Sequence, residues 1–237
     1  MSAPADVAER PEARVSAPYV IAVFNQKGGV GKSLLSMGLA AVTSDTNGTA
    51  YLVDIDPQST TAEVAARAER AGTPLPFTFE GDTDPRHLAK LRQIRGVDMV
   101  IVDCPGSLEG RDVMGQVLAC ADFAVIPYVH DPFVITPTRR SAALCADKGV
   151  PARVLINRID GRRGAEPLKD AIATLDRLGL PRFRSFVREY TAHSQAHVEG
   201  LMITAYRGDR NAVHACEDIR RVHGELLLQL APRRREA

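Results

Sequence analysis

A glycine-rich segment that joins an apolar run to a helical pattern most restricts what this chain can fold into. Residues 19–24 (YVIAVF) form an apolar run of strand length, residues 27–33 (KGGVGKS) follow it, and LLSMGLAAV then opens a helix. Glycines let the backbone turn tightly enough for successive amide groups to converge on phosphate oxygens, and the dipole of the following helix favours negative charge. Within the segment, Lys32 supplies a cation and Ser33 a hydroxyl that suits magnesium. The sequence therefore predicts a phosphate-binding loop.

Four more apolar runs of strand length alternate with helical patterns. They are AYLVD at 50–54, MVIVD at 99–103, FAVIPY at 123–128 and ARVLIN at 152–157, and helices are predicted at 33–44, 60–71, 85–95, 111–121, 137–148, 165–178 and 211–230. Continuous apolar runs separated by helix-length segments are typical of a parallel sheet that is covered on both faces. We predict an α/β fold with a doubly wound, mostly parallel sheet, whose ligands bind beyond the carboxyl ends of the strands.

The two ends of the chain differ in composition from its body. Residues 1–17 are rich in alanine, proline and charge, and they predict a flexible arm. Residues 18–231 are expected to form a single P-loop domain, and residues 232–237 (PRRREA) a basic tail.

Composition excludes several classes of protein. The four cysteines lie far apart with no CxxC pair, which indicates neither a disulfide framework nor a metal cluster. No apolar run approaches the length of a membrane span, so we expect a cytoplasmic protein without stable membrane insertion. Residues 151–237 carry 16 basic and 11 acidic side chains, a net charge of +5, and this arginine-rich excess is a modest indication of nucleic-acid binding.

Acidic residues end two of the predicted strands. Asp54 and Asp56 are separated by one residue, so their side chains point to opposite sides and at most one of them faces the phosphates. An alternative for either residue is to cap the helix that follows. Asp103 ends the run at 99–103, where a carboxylate is placed to hold magnesium through its waters.

The segment KGGVGKS, with AVFNQ before it, resembles the deviant Walker A motif of the ParA/MinD family of ATPases. LVDIDPQ at 52–58, DCPG at 103–106 and the late strand ending in Asn157-Arg158 are also similar to that family. The resemblance implies an enzyme that converts ATP and water to ADP and phosphate, with Mg²⁺ as cofactor. It also implies an ATP-dependent sandwich homodimer, in which Lys27 reaches the phosphates of the partner subunit.

The resemblance assigns roles residue by residue. The catalytic residues are Lys27, Lys32, Asp56, which orients the attacking water, and Asp54, which supports it. The nucleotide would be bound by Lys27, Gly28, Gly29, Val30, Gly31, Lys32, Ser33, Leu34, Asn157 and Arg158, and the metal by Ser33, Asp54 and Asp103. Asn157 is expected to read the edge of adenine, although it could instead be a turn asparagine. ATP is preferred over GTP because the NKxD signature of GTPases is not apparent.

Among members of the family, the chain most resembles the short ParA type that partitions plasmid or chromosomal DNA. Such a protein binds double-stranded DNA nonspecifically as an ATP dimer on the nucleoid, and a ParB-like centromere-binding adaptor stimulates its hydrolysis. The candidate DNA contacts are Arg182, Arg184, Arg188, Arg220 and Arg221, for which surface salt bridges are the alternative. A MinD-like switch, a cargo-positioning or regulatory scaffold ATPase, and a P-loop enzyme similar to dethiobiotin synthetase are the competing interpretations.

Overall fold

The computed structural model describes residues 17–56, 60–81, 84–106 and 111–231. The strands of these segments form one six-stranded sheet in the order β3-β2-β4-β1-β5-β6, and every neighbouring pair is parallel. The strands are β1 (Tyr19–Val23), β2 (Ala50–Asp54), β3 (Thr78–Gly81), β4 (Met99–Asp103), β5 (Phe123–Tyr128) and β6 (Ala152–Ile156). This confirms the predicted parallel α/β fold. Most of the predicted arm and all of the predicted tail lie outside the described residues, so the domain boundaries remain predictions.

Helices cover both faces of the sheet. They are α1 (Lys32–Asp45), α2 (Thr60–Arg70), α3 (Pro85–Leu88), α4 (Arg111–Cys120), α5 (Pro132–Asp147), α6 (Glu166–Arg177), α7 (Thr191–Val198) and α8 (Ala212–Leu230). One face is packed mainly by α1, α7 and α8, and the other by α4, α5 and α6. The sequence of β1 is apolar throughout because both of its faces are buried. Ile21 and Val23 enter one core, while Val20 and Ala22 enter the other.

Four elements differ from the predictions, and one of them, the eight-residue helix α7, has no predicted counterpart. Strand β3 is a short edge strand of mostly exposed residues (TFEG), so it lacks the apolar run by which the other strands are recognised. The helix predicted at 85–95 is a single turn, α3, followed by a 3-10 turn at Leu91–Gln93. Helix α5 begins five residues before the predicted start, because Asp131 accepts a hydrogen bond from the amide of Phe133 at 2.7 Å and Pro132 occupies the first turn.

None of the described helices combines the length and the apolar character that a membrane crossing requires.

Candidate functional site

The loop between β1 and α1 requires glycine at two positions. Gly29 and Gly31 have φ angles of 77° and 85°, a region that residues with a Cβ rarely adopt. A Cβ on Gly31 would also lie only 2.5 Å from the side-chain nitrogen of Asn157. Gly31 is followed directly by α1, so the loop leads into a helix N-terminus, as the sequence predicts.

The lysines at the two ends of this loop have different environments. Lys32 is only 7% exposed, and its ammonium donates to the main-chain oxygen of Lys27 at 3.3 Å. Burial lowers the pKa of Lys32, and the carboxylates of Asp103 and Asp56 oppose that shift. The side chain of Lys27 is exposed, and no carboxylate among the described residues pairs with it. Lys32 therefore points into the loop, whereas the side chain of Lys27 lies at the surface.

Asp103 is a buried carboxylate with one oxygen uncommitted. The hydroxyl of Ser36 donates to Oδ1 at 3.3 Å, and the hydroxyl of Ser33 lies near enough to act against the rise in the pKa of the carboxyl. Oδ2 is buried without a hydrogen-bond partner in the described part of the chain. Burial raises the pKa of Asp103 to about 7, and the neighbouring Asp54 acts in the same direction. An unsatisfied carboxylate oxygen beside a hydroxyl suits Mg²⁺, which prefers one or two protein oxygens together with water and phosphate. The residues present therefore fit the metal that the sequence predicts.

Asp54 serves the backbone of its own turn. Its Oδ1 accepts from the amide of Asp56 at 3.1 Å and its Oδ2 from the amide of Thr61 at 3.2 Å, in the first turn of α2. This is the capping alternative that the sequence left open, and it occupies both oxygens of the predicted metal ligand. Asp56 is half-buried and lies near enough to Lys32 to raise the pKa of that lysine, so it faces the loop. Residues 57–59, which follow it, lie outside the described residues.

The turn after β4 packs directly on the loop. A Cβ on Gly106 would lie 3.0 Å from backbone atoms of Gly28 and 3.0 Å from the ammonium of Lys32. This close approach favours glycine at position 106, and it places the turn against the loop. The switch role that the sequence suggests for 103–106 stays a prediction.

Helix α5 anchors the start of the loop through contacts that the sequence did not reveal. The fully buried Asn25 donates from Nδ2 to the main-chain oxygen of Pro127 and to the hydroxyl of Thr138, both at 2.9 Å. The amide of Gln26 donates to the hydroxyl of Ser141 at 3.0 Å. These partners lie 102 to 115 positions downstream, so a polar residue after an apolar strand was the only sequence signal.

Asn157 and Arg158 contact the loop and also line the cavity beside it. The buried amide of Asn157 donates from Nδ2 to the main-chain oxygen of Val30 at 2.8 Å, and its Oδ1 accepts from the amide of Arg158 at 3.0 Å. Arg158 donates to the main-chain oxygen of Gly29 at 3.1 Å. Asn157 thus uses one donor and one acceptor of its amide within the protein, and the expected adenine contact stays a prediction. Beside these residues, Gly31 and Leu34 line a cavity of 1020 Å³, large enough for the rest of a nucleotide.

A family comparison agrees with this site. The model of the CobQ/CobB/MinD/ParA nucleotide binding domain matches residues 21–236. The chain belongs to this family. The predicted resemblance is thereby confirmed, and so is the predicted enzyme class, because the ParA and MinD members of the family are ATPases. ParA/MinD-family ATPases also commonly form dimers and interact with adaptor proteins.

Two relatives span most of this ParA/MinD-family chain. It is 39% identical over 214 residues to maintenance of carboxysome distribution protein A of Gloeobacter kilaueensis, which covers 89% of this chain and 95% of that protein. It is 29% identical over 191 residues to the protein of the same name from Halothiobacillus neapolitanus, covering 78% and 86%. The structure of a Cyanothece McdA variant in complex with ATP has a TM-score of 0.69 at 15% identity, covers 89% of this chain and 97% of that chain, and shows the same fold.

Four of the five candidate DNA-binding arginines of this ParA/MinD-family chain have carboxylate partners within it. Arg182 pairs with Asp176 and Arg221 with Glu217, and Arg220 pairs with Asp45 on α1. Arg188 donates to both oxygens of the buried Asp218 at 2.9 and 2.6 Å, so it is a structural residue of the α8 contact. Arg184 is exposed, and its side chain has no ion-pair partner among the described residues. These ion pairs are the alternative that the sequence left open, and the DNA contacts of the exposed arginines stay predictions.

Proposed function

We propose that this chain is a cargo-positioning ATPase whose cargo is a protein assembly of the carboxysome type. The observation that carries the proposal is its 39% identity to a protein named for the maintenance of carboxysome distribution, over 95% of that protein's length. A second relative with the same name covers 78% of the chain. These relatives support the cargo-positioning alternative better than the partition of plasmid or chromosomal DNA, which the sequence favoured.

The substrate of the proposed reaction is ATP, held in the loop between β1 and α1. The amides of residues 28–33 and the α1 N-terminus bind the phosphates, and the ammonium of Lys32 neutralises charge on the transferred phosphoryl group. Ser33 and the free oxygen of Asp103 would hold Mg²⁺. When bound, the metal supplies further neutralisation of developing negative charge. Gly106 lies against the loop and follows the state of the γ-phosphate.

Asp56 orients the attacking water in this proposal, and Asp54 fixes the turn that carries Asp56. The support is that Asp54 accepts the amide of Asp56, whereas the carboxylate of Asp56 faces Lys32. Lys27 completes the site of a second subunit, because its exposed ammonium pairs with no carboxylate of its own chain among the described residues. ATP therefore closes a homodimer, and hydrolysis opens it.

The ATP dimer would hold its cargo by binding nucleoid DNA without sequence preference. The exposed Arg184 and Arg221 are the best-placed of the predicted arginines, since Arg188 is committed to Asp218. An adaptor on the protein cargo takes the place of the ParB-like centromere-binding adaptor, and it stimulates hydrolysis where cargo is dense. Repeated release and rebinding then spreads the cargo along the nucleoid.

The test is to delete the gene in its own cell and to restore it as wild type, as Lys32→Ala or as Arg163→Ala. Arg163 is exposed and has no proposed role in nucleotide binding, so its variant is the matched control. We expect clustering of a protein assembly after deletion, rescue by the wild type and Arg163→Ala, and no rescue by Lys32→Ala. Plasmid loss or chromosome-free cells with an evenly spread protein assembly would instead establish DNA partition.

A further inference from the structure

Two consecutive residues at the end of β6 donate hydrogen bonds to two consecutive carbonyl groups of the phosphate loop. Asn157 Nδ2 lies 2.8 Å from the oxygen of Val30, and Arg158 Nη1 lies 3.1 Å from the oxygen of Gly29. The partners are 127 and 129 positions apart in the chain. Helix α5 anchors the start of the loop, and these two side chains anchor its centre.

The contacts matter because a phosphate loop binds through its amide groups. When the carbonyl of a peptide is held outward, the N–H of the same peptide points in the opposite direction, into the phosphate cradle. A segment with three glycines loses much conformational entropy when it is ordered. If the loop is mobile before binding, this loss lowers the affinity for the ligand, whereas contacts within the protein that already order the loop avoid it. Donors on the Val30 and Gly29 carbonyls order the loop before any nucleotide arrives.

Arg158 is itself held in place by an unusual set of contacts. Its φ angle is 57°, a left-handed conformation that is uncommon for residues with a side chain, and Asn157 Oδ1 accepts its amide. Glu189 Oε1 accepts from Arg158 Nη2 at 2.7 Å and from Nε at 3.2 Å. The amide of Glu189 donates to the oxygen of Ile159, which fixes the carboxylate relative to the end of β6. The guanidinium therefore spans a fixed gap between Glu189 and the loop.

We infer that Arg158 is a positioning residue of the phosphate loop, which acts by holding the Gly29 peptide, and that Glu189 keeps its guanidinium in that place. This inference rests on the proposed binding of nucleotide in the loop. It differs from the role that the sequence suggested, in which Arg158 touches the nucleotide itself. In the structure the fork of Arg158 is divided between Glu189 and Gly29.

The first experiment measures the loop without nucleotide. Lys27 is exposed, so trypsin cleavage after Lys27, followed by mass spectrometry, reports how mobile the loop is. Arg158→Gly removes the guanidinium and suits the positive φ angle, so the variant is expected to fold. We expect cleavage about tenfold faster than in the wild type, whereas Arg163→Gly, the same exchange in the next turn of chain, leaves the rate unchanged. Equal rates in the two variants would overturn the inference.

The second experiment uses Glu189→Gln, for which the two roles of Arg158 predict opposite signs. If Arg158 positions the loop, loss of the Glu189 charge loosens it, and the affinity for ADP falls several-fold, less than the roughly tenfold fall in Arg158→Gly. If Arg158 contacts nucleotide, its release from Glu189 leaves the affinity equal or higher, and the inference is wrong. A wild-type protein that binds no ADP would contradict the proposed function, while the cleavage experiment would still decide the role of Arg158.

Discussion

Asp54 and Asp103 end neighbouring parallel strands at matched positions, but their carboxylates have different partners. The two residues are paired in the register of β2 and β4. Asp54 accepts backbone amides with both oxygens, while Asp103 accepts the hydroxyl of Ser36 at one oxygen and keeps the other free of any partner in the described residues. The two residues therefore have different roles: Asp54 stabilises the turn after β2, and Asp103 faces the proposed metal.

This division predicts different defects in two isosteric variants. Asp54→Asn places an NH₂ group or a weaker acceptor against two backbone amides, and we expect a loss of about 1–2 kcal/mol in the free energy of unfolding. Asp103→Asn removes a buried charge and should leave that free energy nearly unchanged, but it should weaken ADP binding in Mg²⁺ and not in EDTA. Urea unfolding and fluorescent ADP titration measure the two quantities. The same defect in both variants would contradict separate roles.

Asp56→Ala separates hydrolysis from binding. The variant keeps the loop, Lys32 and Asp103, so it should retain ATP affinity, yet it removes the carboxylate proposed to orient water. We expect turnover to fall by about a hundredfold or more and the ATP dimer to persist longer. Phosphate release and light scattering with ATP test both results. Normal turnover would exclude Asp56 from the reaction, and loss of ATP binding would indicate a structural role.

Lys27→Ala tests the dimer. A cation that meets phosphate only across the interface stabilises the closed state and not the open one, so its removal should abolish the ATP-dependent dimer while affinity for ADP stays nearly intact. Light scattering with ATP, ADP and no nucleotide provides the measurement, and Lys32→Ala, which should lose nucleotide binding itself, is the comparison. A Lys27→Ala protein that dimerises normally with ATP is incompatible with the sandwich mechanism.

The arginines should divide into structural and DNA-binding residues. Arg188→Ala leaves the buried carboxylate of Asp218 without its ion pair, and we expect a loss of about 3 kcal/mol in the free energy of unfolding. Combined Arg184→Ala and Arg221→Ala should change that free energy by less than about 0.5 kcal/mol, since these arginines are exposed. The double variant should weaken salt-sensitive binding of ATP-loaded protein to duplex DNA. Unaltered DNA binding would place the DNA surface elsewhere.

His193 predicts how stability depends on pH. Burial lowers its pKa to about 4 from 6.5, against the opposing charge of Asp218. The folded state then keeps His193 neutral while the unfolded state gains a proton, so the free energy of unfolding should fall as pH falls from about 6.5 to 4, by up to about 3 kcal/mol. Burial also lowers the pKa of His197 to about 4, which acts in the same direction. Urea unfolding across this range should show a shallower fall in His193→Gln than in His214→Gln, a variant of an exposed histidine.

Local sequence patterns were sufficient to predict features that are built from adjacent residues. The glycine spacing at 27–33 places the phosphate loop, because the geometry of such a loop is set by adjacent residues. The apolar runs identify five of the six strands, since a strand buried on both faces has little choice of residue. The exposed edge strand β3 has no such constraint and was missed. The sequence identified Asp54 as a candidate site residue but not its partners, because a metal ligand and a helix cap both favour aspartate.

By itself, the sequence determined the parallel α/β fold, the phosphate loop with Lys27 and Lys32, and the acidic strand end at Asp103. Only the tertiary structure decided which polar side chains meet the loop. The sequence suggested adenine for Asn157 and DNA for Arg188, and the structure shows that Asn157 donates to the carbonyl of Val30 and that Arg188 pairs with Asp218. The physical reason is distance along the chain. A hydrogen bond depends on where folding brings two groups, and those contacts join residues 127 and 30 positions apart, whose pairing leaves no periodic trace in the sequence.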